Sequence, residues 1–287
     1  MTTTRWVIFL FLGMFFSCPA FSQDTLRAAG VEAVLYKGTG KEQPLVVGLG
    51  GSEGGNAWTS THWKKTRDEF LQRGYAFLAI GYFACKGTPD TLDRIAIDGV
   101  YAAIAAAHRQ PGVAAGRTAV IGGSRGADLA LLLASYYPDI SCVIGLSASH
   151  AVFPGHTMHF TTSCWTYAGR ELPFVPVNEA AVPFLMKNDL RGAFEAMLQD
   201  TAAEKNALIP VERIKGAILL MSGKSDEICP STAMCDKMMK RLQASRFKYP
   251  YEHEAYAGGH GEPLRHFDKV FSFLQQHFPA SGQGAQN

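Results

Sequence analysis

Between Thr118 and Tyr137 the chain reads TAVIGGSRGADLALLLASYY, a short apolar strand pattern, a glycine-rich turn and a long helical pattern. The same rhythm recurs along the sequence. Leu45–Gly48, Ala76–Ile80, Thr118–Ile121, Cys142–Leu146, Ala217–Met221 and Tyr251–Ala255 read as strands. Asn56–Arg73, Asp90–Arg109, Ala127–Tyr137, Ser231–Ser245 and Pro263–His277 read as helices, and Gln23–Gln43 supplies one or two leading strands. Strands alternating with helices predict an α/β class with a mainly parallel central sheet covered on both faces. One connection breaks the rhythm: about 70 residues lie between Leu146 and Ala217. A structureless loop of that length is rare, so an insert between the sixth and seventh strands is expected, at about 150–200. Its aromatic first half and the helical spacing of Leu190, Phe194, Met197 and Leu198 predict a partial lid.

Gly122-Gly123-Ser124-Arg125-Gly126 is a G-x-S-x-G sequence. The five residues alone are a weak signal, but their place after a strand and before a helix is the setting of a nucleophile elbow. Such a turn is too tight for side chains at the flanking positions, and it lifts the serine above the sheet. A serine hydroxyl needs a base to accept its proton and an acid to orient that base. In the α/β-hydrolase fold these follow later strands in the order Ser, Asp, His. Asp226 follows the Ala217–Met221 strand, with Glu227 as its neighbouring competitor, and His260 sits between glycines after the Tyr251–Ala255 strand. Ser124, Asp226 and His260 are therefore the predicted catalytic triad. The backbone N–H groups of Arg125 and of Ser52, in the loop Gly48–Gly55, are the expected oxyanion donors. His150, His156 and His159 match no common zinc spacing, and neither a metal nor another cofactor is expected.

The amino-terminal 22 residues carry Arg5, an apolar run Trp6–Phe16, and small residues Ala20 and Ser22 before Gln23. That is the order of a secretory signal peptide, and its apolar core is about half of the ~20 residues needed to span a bilayer. Export to the periplasm or medium is expected, with no stable membrane span after cleavage. A single domain then covers residues 23–279, followed by a loose polar tail at 280–287. The net charge of +2 and the absence of a Lys/Arg block argue against a nucleic-acid partner. Five of the six cysteines follow the predicted cleavage point. Cys142 is expected as a buried free thiol, and Cys229 with Cys235 as the favoured disulfide.

The elbow Ile121–Gly126, the segment Leu208–Arg213 with the loop ending in Asp226, and Tyr256–His260 resemble the C-terminal catalytic domain of the acyl-CoA thioesterase and bile acid-CoA:amino acid N-acyltransferase family. The similarity runs from about Leu45 to Phe278. Looser similarity to dienelactone hydrolases is expected on the same fold. The N-acyltransferase branch uses a cysteine nucleophile, so Ser124 resembles the hydrolase branch, and Arg125 keeps the charge of the lysine usual after the nucleophile. The resemblance implies a serine hydrolase acting on a small-molecule acyl ester or thioester. Acyl transfer to an amine or alcohol, and a non-catalytic binding protein on the same scaffold, are the competing readings.

Overall fold

The computed structural model describes residues 21–280. Residues 1–20 of the predicted targeting segment therefore lie outside the described residues; of its last two, Phe21 packs against the core and Ser22 opens the first strand. Eight strands form one sheet: β1 (Ser22–Leu26), β2 (Glu32–Lys37), β3 (Gln43–Leu49), β4 (Ala76–Gly81), β5 (Val113–Gly123), β6 (Ile140–Leu146), β7 (Ala217–Gly223) and β8 (Tyr251–Tyr256). Their order across the sheet is β1-β2-β4-β3-β5-β6-β7-β8. β2 runs antiparallel to both β1 and β4, and every other pairing is parallel. β3, β4 and β7 are buried along their whole length, as continuous apolar runs in a two-sided parallel sheet should be.

The period-2 alternation of the strands divides the core into two layers. Val120, Val143, Ile218 and Leu220 face one side, where α2 (Ile97–His108), α3 (Arg125–Tyr136) and α7 (Ser231–Ala244) pack. Ala119, Ile121, Ile144 and Leu219 face the other, against α1 (Lys64–Gln72) and α8 (Phe267–His277). In α8 the spacing of Val270, Phe271 and Leu274 puts all three in that second layer. Each fully buried side chain of this size contributes about 1.5–3 kcal/mol. Among the described residues no helix is long and apolar enough to cross a membrane.

Three helical readings are shorter than the sequence implied. Asn56–Arg73 is a 3₁₀ turn at Ala57–Thr59 followed by α1, because Trp58 is drawn into the aromatic cluster of Trp63, Phe70 and Phe77. Asp90–Arg109 becomes helical only at Ile97, since Ile95–Ala96 pairs with Trp165–Thr166 of the insert. Pro263–His277 is split by His266, which stacks on Tyr256 with ring centroids 3.8 Å apart. At the other end, Ala280 is 3% exposed, so it belongs to the core rather than to a loose tail.

The insert between β6 and β7 carries its own small core. Ala151, Phe153, Val175, Ala193, Ala196 and Met197 pack with Cys229 and Met234 of the main body. It contains α4 (Val182–Met186), α5 (Leu190–Met197) and α6 (Thr201–Asn206). Asp189 and Asp200 cap the last two helices, accepting from the N–H groups of Gly192 and Ala203.

Candidate active site

The strand register brings distant loops to one sheet edge. Gly123 pairs with Leu146, Leu146 with Met221, and Gly223 with Tyr256, so β5, β6, β7 and β8 all end at the same side. Ser124, Asp226 and His260 each lie just beyond a strand's carboxyl end, where open α/β sheets bind ligands.

Ser124 sits between β5 and α3 with φ 53° and ψ −122°, a strained conformation for a non-glycine residue. Its N–H donates to the Leu146 carbonyl at 2.8 Å, and its hydroxyl does not cap the helix. Two glycines make the turn feasible. A Cβ at Gly122 would stand 2.0 Å from the Gly126 carbonyl oxygen, and one at Gly126 would stand 2.1 Å from that of Gly50. These are backbone neighbours that cannot step aside.

The Asp226 carboxylate is fully buried and faces His260 Nδ1, with Oδ1 at 3.0 Å and Oδ2 at 2.9 Å. Oδ1 also accepts the N–H groups of Ile228 at 2.9 Å and Cys229 at 3.0 Å, and Oδ2 accepts the Ser231 hydroxyl at 2.5 Å. Burial pushes the Asp226 carboxyl up, but the bonds from His260, Ser231 and Cys229 outweigh it and hold the group below its ordinary value. His260 is fixed through its backbone as well: its N–H donates to Glu227 Oε2 at 3.0 Å, and its carbonyl accepts from Ser147 Oγ at 2.7 Å. Glu227 thus holds the His260 backbone, and among the described residues the ring's hydrogen bonds go to Asp226.

Ser124 and His260 line two adjoining cavities. The larger, about 580 Å³, is walled by apolar insert residues including Val177, Leu185, Phe194 and Met197. The smaller, about 150 Å³, is bounded by Trp58, Trp63 and Leu264. Among the described residues no hydrogen bond joins the Ser124 hydroxyl to the imidazole, a step that often tightens only when substrate binds. Ser52 and Arg125 line the larger cavity beside Ser124. Arg125 heads α3, whose first N–H groups lack intrahelical acceptors. The Ser52 loop is held by Tyr82, whose hydroxyl donates to the Gly50 carbonyl at 2.6 Å, and by Glu53, which accepts the Gly51 N–H at 3.0 Å.

The Arg125 side chain turns inward. Its guanidinium bonds Asp128 at 3.3 Å and lies 5.4 and 5.5 Å from the rings of Phe153 and Phe194. Burial pushes the Asp128 carboxyl up to about 6 against the opposing pull of Arg125 and the Ser149 N–H. Of the insert histidines, His150 is buried and bonds Glu204 at 2.6 Å, while His156 and His159 are exposed. His253 is committed to Ser222 and Asp236.

The expected Cys229–Cys235 disulfide is absent; all five described cysteines are free thiols. The start of α7 at Ser231 separates the two side chains. Cys229 Sγ turns to Asp226 Oδ2 at 3.8 Å, and Cys235 Sγ, inside α7, faces the Ala148 carbonyl at 3.9 Å. Cys142 is a buried free thiol, as expected.

Residues 101–261 match the family described as BAAT / Acyl-CoA thioester hydrolase C terminal. The chain belongs to this family. Its curated relatives include acyl-coenzyme A thioesterase 1 of Mus musculus, 26% identical over 172 residues, or 60% of this chain and 39% of that protein. Acyl-coenzyme A amino acid N-acyltransferase 2 of Rattus norvegicus is 27% identical over 243 residues, or 80% of this chain and 51% of that protein. The match therefore spans about half or less of these family members. Among solved structures, a puromycin-hydrolysing peptidase of Mycobacterium tuberculosis aligns with a TM-score of 0.61 at 16% identity, over 90% of this chain and 39% of that one. An acetyl xylan esterase from Paenibacillus sp. R4 aligns at 0.55 and 16%, over 91% and 90%. These likenesses establish the α/β-hydrolase fold for this member of the family.

Proposed function

We propose that the protein hydrolyses a small acyl ester or thioester through an acyl-Ser124 intermediate. The observation that carries this reading is that His260, held by the buried Asp226 carboxylate, lines the same cavity as a strained elbow serine. Hydrogen bonding to Asp226 fixes the proton on Nδ1 and leaves Nε2 to accept one. His260 takes the Ser124 proton as Oγ attacks the acyl carbon. The N–H groups of Ser52 and Arg125 receive the oxyanion. Collapse expels the alcohol or thiol, protonated by His260, and His260 then activates the water that frees the acid. The larger apolar cavity suits the acyl chain, and the smaller one suits the start of the leaving group.

Transfer to an amine or alcohol is the second reading, supported by the family's N-acyltransferase members. The two part on products. Incubating p-nitrophenyl esters of graded chain length and acyl-CoAs with the protein, with and without candidate amines, should yield free acid in both cases. Amide as the main product would favour transfer, and no turnover of any substrate would remove the hydrolase reading. We further propose that residues 1–22 direct export and are cleaved before Gln23. Recovery of exported protein beginning at Gln23 is the expected result; an intact Met1 in the exported protein would oppose it.

A further inference from the structure

The acid loop adds a thiol, Cys229, that hydrolysis does not use, beside the two groups that it does. Asp226, Cys229 and His260 each present a ligand atom, and the three atoms lie within 4.8 Å of one another. A carboxylate, a thiol and an imidazole are the donor types that bind zinc. Zinc bonds of about 2.0–2.3 Å imply separations of roughly 3.3–3.6 Å between ligands on a tetrahedron. The Asp226–His260 separation of 2.9 Å and the Asp226–Cys229 separation of 3.8 Å lie on either side of that range, and the Cys229–His260 separation is within 4.8 Å, so shifts of a few tenths of an ångström or more would close the set on an ion. The surroundings already resemble a supported site. Ser231 and the Ile228 and Cys229 N–H groups orient the carboxylate, while Ser147 and Glu227 fix the backbone of His260. Cys229 and His260 both line the larger cavity, which gives an ion a route to the pair, while Asp226 is buried behind them.

We propose that these three residues form an inhibitory zinc site that turns the imidazole from base to bystander. The inhibitory part rests on the assignment of His260 as the base. Zinc takes the Cys229 thiolate, one Asp226 oxygen and His260 Nδ1. The thiol proton leaves to solvent, and the proton displaced from Nδ1 moves to Nε2. No electrons change hands. Nε2 then carries a hydrogen and cannot accept the Ser124 proton, so hydrolysis stops without loss of any residue. Chelation restores the original tautomer. The two carboxylate and thiolate charges neutralise the ion, which is why a buried position is tolerable.

The test uses the full chain and zinc chloride, with bound metal measured by mass spectrometry or equilibrium dialysis and ester hydrolysis measured in parallel. The native protein should bind one zinc per chain, lose hydrolysis in proportion to occupancy and regain it with a chelator. Cys229→Ser and Cys229→Ala should each weaken zinc binding at least tenfold, since loss of a supporting group alone costs about 10–100-fold. His260→Gln should weaken it likewise, and Cys85→Ser should not. A native chain that binds no zinc, or Cys229 variants that bind it as tightly as the native chain, would overturn the site even if folding differed elsewhere. If zinc binds as stated but no ester is ever turned over, the hydrolase reading fails and the site stands.

Discussion

Asp226 meets His260 with both carboxylate oxygens, at 3.0 and 2.9 Å from Nδ1, from a position with no exposure to solvent. The contact assigns the ring's proton to Nδ1 and leaves Nε2 as an acceptor. Asp226→Asn keeps the shape but can reverse that assignment, and a drop of about 10⁴-fold in kcat is expected. Steady-state ester hydrolysis with unchanged circular dichroism is the check. A loss of only a few fold would assign orientation of the base to another group.

The same carboxyl links stability to pH. Its value in the folded protein lies below the ordinary one, so the folded state binds fewer protons in acid than the unfolded chain. The stabilisation is fully present above the unfolded value, about 3.9, and is lost as pH falls through the folded value. Urea midpoints of the native protein and Asp226→Asn should therefore converge in strong acid. A gap independent of pH would mean that the pair's contribution is steric.

Gly126 and Gly123 offer a contrast within one turn. A Cβ at Gly126 would collide with the Gly50 carbonyl, whereas at Gly123 the nearest atom is Leu264 Cδ2 at 3.9 Å. Gly126→Ala should cost about 1–3 kcal/mol or more and abolish hydrolysis, because α3 must back away from the Ser52 loop. Gly123→Ala should lie within about 0.5 kcal/mol of the native protein, as open positions do. Thermal melting of both variants separates these outcomes; equal losses would contradict the close approach.

Ser52 is assigned through its backbone, so the informative change is to proline. Ser52→Pro removes the N–H and should raise the barrier by about 3–4 kcal/mol, a 10²–10³-fold loss in kcat. Ser52→Ala keeps the donor and should be near native. Similar rates for both variants would shift the oxyanion donor to another loop residue.

Phe194 lines the larger cavity, lies 5.5 Å from the Arg125 guanidinium and packs edge-on against Phe153 at 4.6 Å. Phe194→Ala lengthens the cavity and should raise kcat/KM for longer chains over shorter ones about tenfold, the scale of a methylene or two in an apolar pocket. A uniform change across the ester series would place the chain elsewhere.

The strand pattern made the sheet legible because buried parallel strands are uninterrupted apolar runs, as β3, β4 and β7 are. The candidate positions Ser124, Asp226 and His260 were legible because loops with distinctive residues follow β5, β7 and β8, although β8 is a half-buried, largely polar edge strand. What escaped was local. Trp58 and His266 broke helices through aromatic contacts that periodicity does not register. The role of Glu227 was hidden, since a carboxylate accepting a backbone N–H 33 positions away leaves no trace in spacing. Ser231 and the Cys229 thiol were also missed. Their one signal was that an aspartate tends to bond the chain two or three residues on, which coils 226–231 around the carboxylate and turns Cys229 from Cys235.

Covalent labelling by a fluorophosphonate tests most directly whether the Ser124 hydroxyl is activated by the His260–Asp226 pair. The probe should add to one residue, Ser124, at a rate cut by orders of magnitude in His260→Gln and abolished in Ser124→Ala. A folded native protein that takes up no label, or labels equally without Ser124, would contradict the nucleophile and with it the proposed reaction.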